Sequence, residues 1–161
     1  MSAIAANDWL ERHNGRTAQD CGVRLAAASH AVWPSDKNLQ VLIEDQIKSD
    51  LLDFAFHARK LMERRSLKSA TVGSDPLWPP SQLEPPEKNL WALLGLIVHA
   101  DSIDVSWEQA DLQPNPYKGR SPMFAGSVKV QSDNGSATLP IGSLTSTFFG
   151  QVLASSDFQE E

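Results

Sequence analysis

The sequence predicts an α+β fold: helices in the first hundred residues, a three-stranded antiparallel meander packed on them, and a short final helix. Three observations carry this expectation. Over residues 36–68, Leu39, Ile43, Ile47, Leu51, Phe54, Ala58, Leu61 and Met62 recur mostly at steps of three and four, the period of an amphipathic helix. Residues 90–98, LWALLGLIV, are apolar on every side of a helical wheel, which describes a helix buried all round. Beyond residue 103 the apolar period falls to two, and Asp133-Asn134-Gly135-Ser136 separates two alternating runs, as a hairpin requires.

Taken in order, Asn7 or Asp8 is placed to cap a first helix, with Asp8 and Glu11 at capping-box spacing. Gly15 is expected to interrupt it. A second segment over residues 17–32 carries Val23, Leu25 and the alanines 26–28, and Trp33-Pro34 ends it, because proline disfavours helix at the residue before it. Ser35 or Asp36 caps the long helix of residues 36–68, which at 1.5 Å per residue runs roughly 45 Å. Residues 73–87 read as a proline-rich linker within a single domain; five prolines between residues 73 and 86 forbid regular helix. The buried helix spans about residues 88–99. Strands follow over about 103–108, 124–132 and 136–141. With Asn134-Gly135 as a two-residue loop, Val130 faces Leu139 and Val128 faces Ile141, so apolar meets apolar. Pro140 needs a place without a ladder bond, which points to an edge strand. Ser143 caps a helix over about 143–154, and residues 155–161 form a polar tail expected to fray.

Bulk properties narrow the class. A chain of 161 residues is expected to form one domain. The single cysteine, Cys21, can form no internal disulfide, which, with no secretory or membrane-spanning segment in view, points to a cytoplasmic protein. The net charge of −6 falls entirely after residue 80; before it, ten basic side chains balance ten acidic ones. That distribution argues against broad binding to a phosphate backbone, while leaving room for a small basic pocket in the first half.

The candidate chemistry is sparse. His99 ends the buried helix, near Asp101 and Asp104, where it is placed either as a general acid or base or as a helix-terminal cation. Asp53, His57, Lys60 and Arg64 share one stripe of the long helix, with Arg59, Arg65 and Lys68 near its end. This stripe suits a phosphate or carboxylate, or a solvated face with an Asp53–His57 pair. Trp91, Trp107 and Phe149 are candidates to line a pocket between helices and sheet. Tyr117-Lys118-Gly119-Arg120 is the one basic spot late in the chain. The four histidines lie in separate segments, so no metal site is assembled. No phosphate loop or nucleophile elbow is present, and no cofactor is expected.

The stretch LWALLGLIVHADSI, with LLDFAFHARKLMERR before it, resembles the helical HEPN-type domains of prokaryotic toxin and defence systems. The resemblance covers residues 36–105. It implies a homodimer with His99 near the two-fold axis, where the family's Arg-x(4–6)-His pair cleaves RNA. Here the positions that would offer the arginine hold Leu94, Leu93 and Ala92, which implies a non-catalytic member. Arg24 and His30 repeat the spacing, in another helix. The expectation is therefore a non-catalytic interaction or dimerisation protein of toxin–antitoxin, defence or mobile-element type. Its expected partners are a second copy or another protein, and no membrane. The alternatives are an RNA- or nucleotide-acting enzyme using His99 with Arg59 or Arg64, and a small-molecule module with the pocket of Trp91, Trp107 and Phe149; His57, Asp101, Trp91 and Trp107 are the expected binding residues.

Overall fold

A computed structural model describes residues 3–29, 31–72, 89–110, 116–117 and 121–154. Along the chain run α1 (Ala3–Ala28), α2 (Lys37–Arg64), α3 (Leu90–Val98), β1 (Ser102–Gln109), β2 (Pro122–Ser132), β3 (Gly135–Pro140) and α4 (Ile141–Thr147). The last helix continues as a π-helix, Phe148–Leu153. The fold is α+β, with the helical N-terminal part and the three-stranded meander that the periodicities predict. The predicted linker and tail, residues 73–87 and 155–161, lie outside the described residues, as do His30 and Lys118-Gly119-Arg120.

α1 is one continuous helix, not two. Gly15 lies buried in its interior, where packing outweighs the roughly 1 kcal/mol that a helical glycine costs relative to alanine. The helix also starts before Asp8, so the predicted capping box is interior, and Glu11 instead accepts a 2.6 Å bond from Arg65 Nε. α1 packs along α2, and the buried Asp50 of α2 takes a forked contact from Arg24, with Nη2 2.8 Å from Oδ1. At Gly22 an added Cβ would stand 2.9 Å from Phe149, so this glycine lets the C-terminal helix approach α1.

α2 begins as expected, with Asp36 Oδ1 accepting from the Leu39 amide at 2.9 Å. Its predicted apolar stripe is the buried face, from Ile43 to Met62. It ends four residues earlier than the periodicity suggests. Ser66 there adopts φ +56°, and the Leu67 amide reaches back to the Met62 carbonyl at 2.9 Å, which closes the last turn.

α3 is the centre of the core. Leu90, Leu93, Leu94 and Ile97 are all fully buried, between α2 on one side and the inner face of the sheet on the other, whereas Trp91, Ala92, Gly95, Leu96 and Val98 are only partly buried, so the helix is not enclosed all round in the way its composition predicts. Asn89 caps it, accepting from the Ala92 amide at 2.9 Å, while its own amide donates to the Lys68 carbonyl at 2.7 Å. Thr71 and Asn89 form an antiparallel bridge, so the chain enters α3 beside the point where it left α2.

The sheet order is β1-β2-β3. Phe124, Val128, Val130, Ala137 and Leu139 point into the core. The hairpin register differs from the expected one by two residues: Val130 pairs with Ala137 and Val128 with Leu139. Ser132 pairs with Gly135, so the turn is Asp133-Asn134. Ser132 Oγ accepts the Asn134 amide at 3.2 Å, and Gly135 carries φ +134°. A two-residue shift preserves which side chains face inward, so the hydrophobic pattern alone does not discriminate between the two registers. Pro140 ends the edge strand β3, as expected. Between Val105 and Trp107 the β1 register shifts, and Gly126 opposite that shift takes φ +75°, a bulge that needs glycine. On the other side of β2, Val32 bridges Met123 and the Trp33 amide bonds the Pro122 carbonyl at 3.0 Å.

The last helix begins at Ile141, so Ser143 lies inside it and does not cap it. Thr145 and Thr147 turn their hydroxyls onto the carbonyls of Ile141 and Ser143, at 3.0 and 2.7 Å. Such back-bonding competes with the helical ladder, and the ladder loosens into the π-helix immediately afterwards.

Candidate functional site

A concave site opens where the last third of α2 meets the C-terminal end of α3. Phe56, Arg59, Lys60, Glu63, Val98 and His99 line a cavity of about 320 Å³. The helical period of α2 brings the first four to one side. His99 caps α3 with φ −104° and ψ 20°, which leaves its side chain exposed at the rim. The sequence pairing of His99 with Arg59 is thus realised in space, although forty residues separate them. Arg64 does not line the cavity.

Arg59 is held by α3. Trp91 and Gly95 lie one helical turn apart on the same face. The guanidinium carbon sits 3.9 Å from the centroid of the Trp91 ring, while a Cβ on Gly95 would meet Nη1 at 3.2 Å. Stacking of this kind contributes about 1–2 kcal/mol when partly desolvated. Lys68 adds a second cation 4.7 Å from the same ring centroid. Among the described residues, the buried Arg59 Nε and Trp91 Nε1 have no hydrogen-bond partner. Lys60 lies 3.5 Å from Glu63 and 5.9 Å from the Phe56 ring centroid.

Phe56 also joins this cavity to a cluster of rings on the α1 side. It meets His57 edge-on at 5.2 Å, His57 meets His13 at 5.5 Å, and His13 stacks on Trp9 at 5.1 Å with planes 6° apart. His57 Nδ1 is 2.8 Å from the Oδ1 of the buried Asn14, which fixes this nitrogen as the N–H donor. Asn14 thus takes the place that sequence spacing gave to Asp53. Burial pushes the His57 imidazole below its ordinary range, the neighbouring His13 adds to that effect, and Asp53 opposes it.

Other candidates have separate partners. Trp107 Nε1 donates to Glu44 at 2.6 Å and ties β1 to α2, whereas Phe149 lies on Gly22. The structure gives Trp91, Trp107 and Phe149 three different contacts. Asp101 is exposed, and its amide donates to Gln131 at 2.7 Å, starting the sheet. Arg24 is engaged with Asp50, and its proposed partner His30 lies outside the described residues. Tyr117 is exposed. Cys21 is buried, and burial raises its thiol pKa, which disfavours the reactive thiolate. Among the described residues, no three His, Cys, Asp or Glu side chains gather as metal ligands, and no helix is long and apolar enough to cross a membrane. The Trp91–Gly95 cradle escaped sequence reasoning; its signal was a tryptophan and a glycine one turn apart on an otherwise aliphatic helix.

No family model, no curated protein and no solved structure matches the chain.

The His57 environment predicts a pH dependence. Its folded pKa lies below the unfolded value, near 6.5, so its contribution is fully present above that value and declines as pH falls through it toward the folded pKa. Thermal unfolding at pH 7.5 and 5.0 should show a lower midpoint in acid. The drop should shrink in His57→Gln, and an equal drop in both proteins would contradict the assignment.

Proposed function

We propose that this is a non-catalytic interaction protein that pairs with a second copy of itself through the outer face of α2. One observation carries the reading. The solvent side of this 28-residue helix bears Leu42, Leu52 and Phe56, exposed by 66%, 41% and 48%. Isolated exposed apolar residues are ordinary, but a row of them along one element is a feature of contact surfaces.

The spacing favours a second copy as the occupant. Leu42 and Phe56 each lie seven residues from Ser49, an exposed small residue that permits close approach. Two copies of α2 crossing antiparallel at Ser49 set Leu42 of each against Phe56 of the other, the self-complementarity that a two-fold interface requires. Trp9, 60% exposed, extends the same face through the His13–His57–Phe56 rings. The HEPN-like resemblance also implies a homodimer, although this axis lies nearer the middle of α2 than His99. Interaction proteins of toxin–antitoxin, defence or mobile-element systems fall within this reading.

Light scattering coupled to size exclusion, over a concentration series, tests it. The wild type should run as a dimer, and Leu42→Glu with Phe56→Glu should weaken association by at least tenfold, roughly the loss expected when central apolar contacts are replaced by charge. A wild-type monomer at every concentration would end the proposal.

A second reading is favoured by the common cavity of Arg59 and His99: an RNA- or nucleotide-acting site, with Arg59 drawn from α2 where α3 lacks the HEPN arginine. Incubation with mixed RNA should then show cleavage that His99→Ala removes. Intact RNA, or cleavage indifferent to that substitution, would exclude it.

A further inference from the structure

We infer that the α2–α3 cavity is a recognition site for a small organic oxyanion, a phosphate or carboxylate head on a compact flat body. The inference concerns binding alone, so it depends neither on self-association nor on RNA cleavage.

The first ground is an uncompensated cation. Arg24 and Arg65 are each matched by a carboxylate, Asp50 and Glu11, at 2.8 and 2.6 Å. Arg59 forms no ion pair among the described residues, and its Nε has no hydrogen-bond partner. Among the described residues, the Trp91 ring is the group that answers its charge. A guanidinium keeps its hydrogen-bonding capacity when stacked, because the ring contacts its face and leaves its N–H groups free at the edge. With Nε buried, the terminal nitrogens are the donors an anion can reach.

The second ground is preorganisation. The Trp91 ring, 3.9 Å from the guanidinium carbon, and the adjacent Gly95 restrict the side chain, so less side-chain entropy is lost on binding. Gly95 permits this close approach, since a Cβ there would stand 3.2 Å from Nη1 and displace the guanidinium slightly.

The third ground is the rest of the wall. Lys60 and His99 add a second cation and an imidazole N–H around the same space, with Glu63 as its one carboxylate, already drawn to Lys60 at 3.5 Å. The carbonyls of Gly95 and Ile97 at the end of α3 are capped by the amides of His99 and Ala100, at 3.1 and 3.2 Å, which limits their repulsion of an anion. Phe56 and Val98 supply an apolar wall for the body of the ligand. A volume of about 320 Å³ stands at the small end of ligand sites, which begin at roughly 300 Å³.

Phenyl phosphate, benzoate and inorganic phosphate serve as probes, titrated at matched ionic strength into protein observed by NMR at the His99 ring and the Trp91 indole N–H. Phenyl phosphate or benzoate should give saturable shifts, the tighter one assigning the head group, with inorganic phosphate weaker because it lacks the body that contacts Phe56 and Val98. Arg59→Met, which keeps the aliphatic stem on Trp91, should reduce affinity by about tenfold or more, the usual effect of losing a charge-assisted hydrogen bond. Lys60→Gln, at an exposed position, should reduce it several-fold. Leu52→Glu lies on the proposed self-association face but neither lines the cavity nor meets Phe56 of a second copy, and should leave affinity unchanged, so the two readings fail separately. Absence of saturable shifts with both organic probes, or wild-type affinity in both Arg59→Met and Lys60→Gln, would overturn the inference.

Discussion

The rest of the molecule depends on the exclusion of water from α3. Nine consecutive residues without a charged or hydrogen-bonding side chain other than Trp91 leave no solvated face, so the helix is stable only when covered from both sides. α2 supplies one cover, and the sheet supplies the other. Four aliphatic side chains of α3 are completely buried, each worth about 1.5–3 kcal/mol relative to exposure. The same demand explains the length of α2, which must cover α3, hold α1 on its other flank, and still reach β1 through Glu44 and Trp107.

Trp91, Ala92, Gly95, Leu96 and Val98 are only partly buried, and the candidate site lies at this side of α3. Trp91 and Gly95 face the end of α2, where a flat guanidinium completes the cover. A hydrocarbon side chain at residue 59 would fill the same groove, but it would bring no charge. Arg59 therefore serves packing with its stem and face, while its edge confronts an open cavity beside His99. The outer face of α2 shows a parallel economy: the helix is amphipathic toward the core, yet Leu42, Leu52 and Phe56 interrupt its polar side.

The long-period features were legible from the residues. The stripe from Ile43 to Met62 and the all-apolar run at 90–98 fixed the core helices, and alternation located the three strands. What escaped was whatever depends on a close competition between local geometries. Gly15 looks like a break, because its local cost is visible in the sequence while the packing that offsets it is not. The Asn134-Gly135 register differs from the observed one by two because the faces are identical either way, and the Ser132 hydroxyl that accepts the Asn134 amide in the observed turn leaves no mark in the hydrophobic pattern. Of the site, the His99–Arg59 pairing was legible as chemistry. The Asn14–His57 bond and the Trp91–Gly95 cradle were not, since each joins segments forty-three and thirty-two or more residues apart.

Native-state hydrogen exchange on α3 tests the central claim most directly. The Leu94 and Ile97 amides should exchange only through global unfolding, with an opening free energy equal to that from denaturant titration. Exchange of these amides by small local fluctuations, well below the global value, would show that α3 is not the occluded centre on which the fold is built.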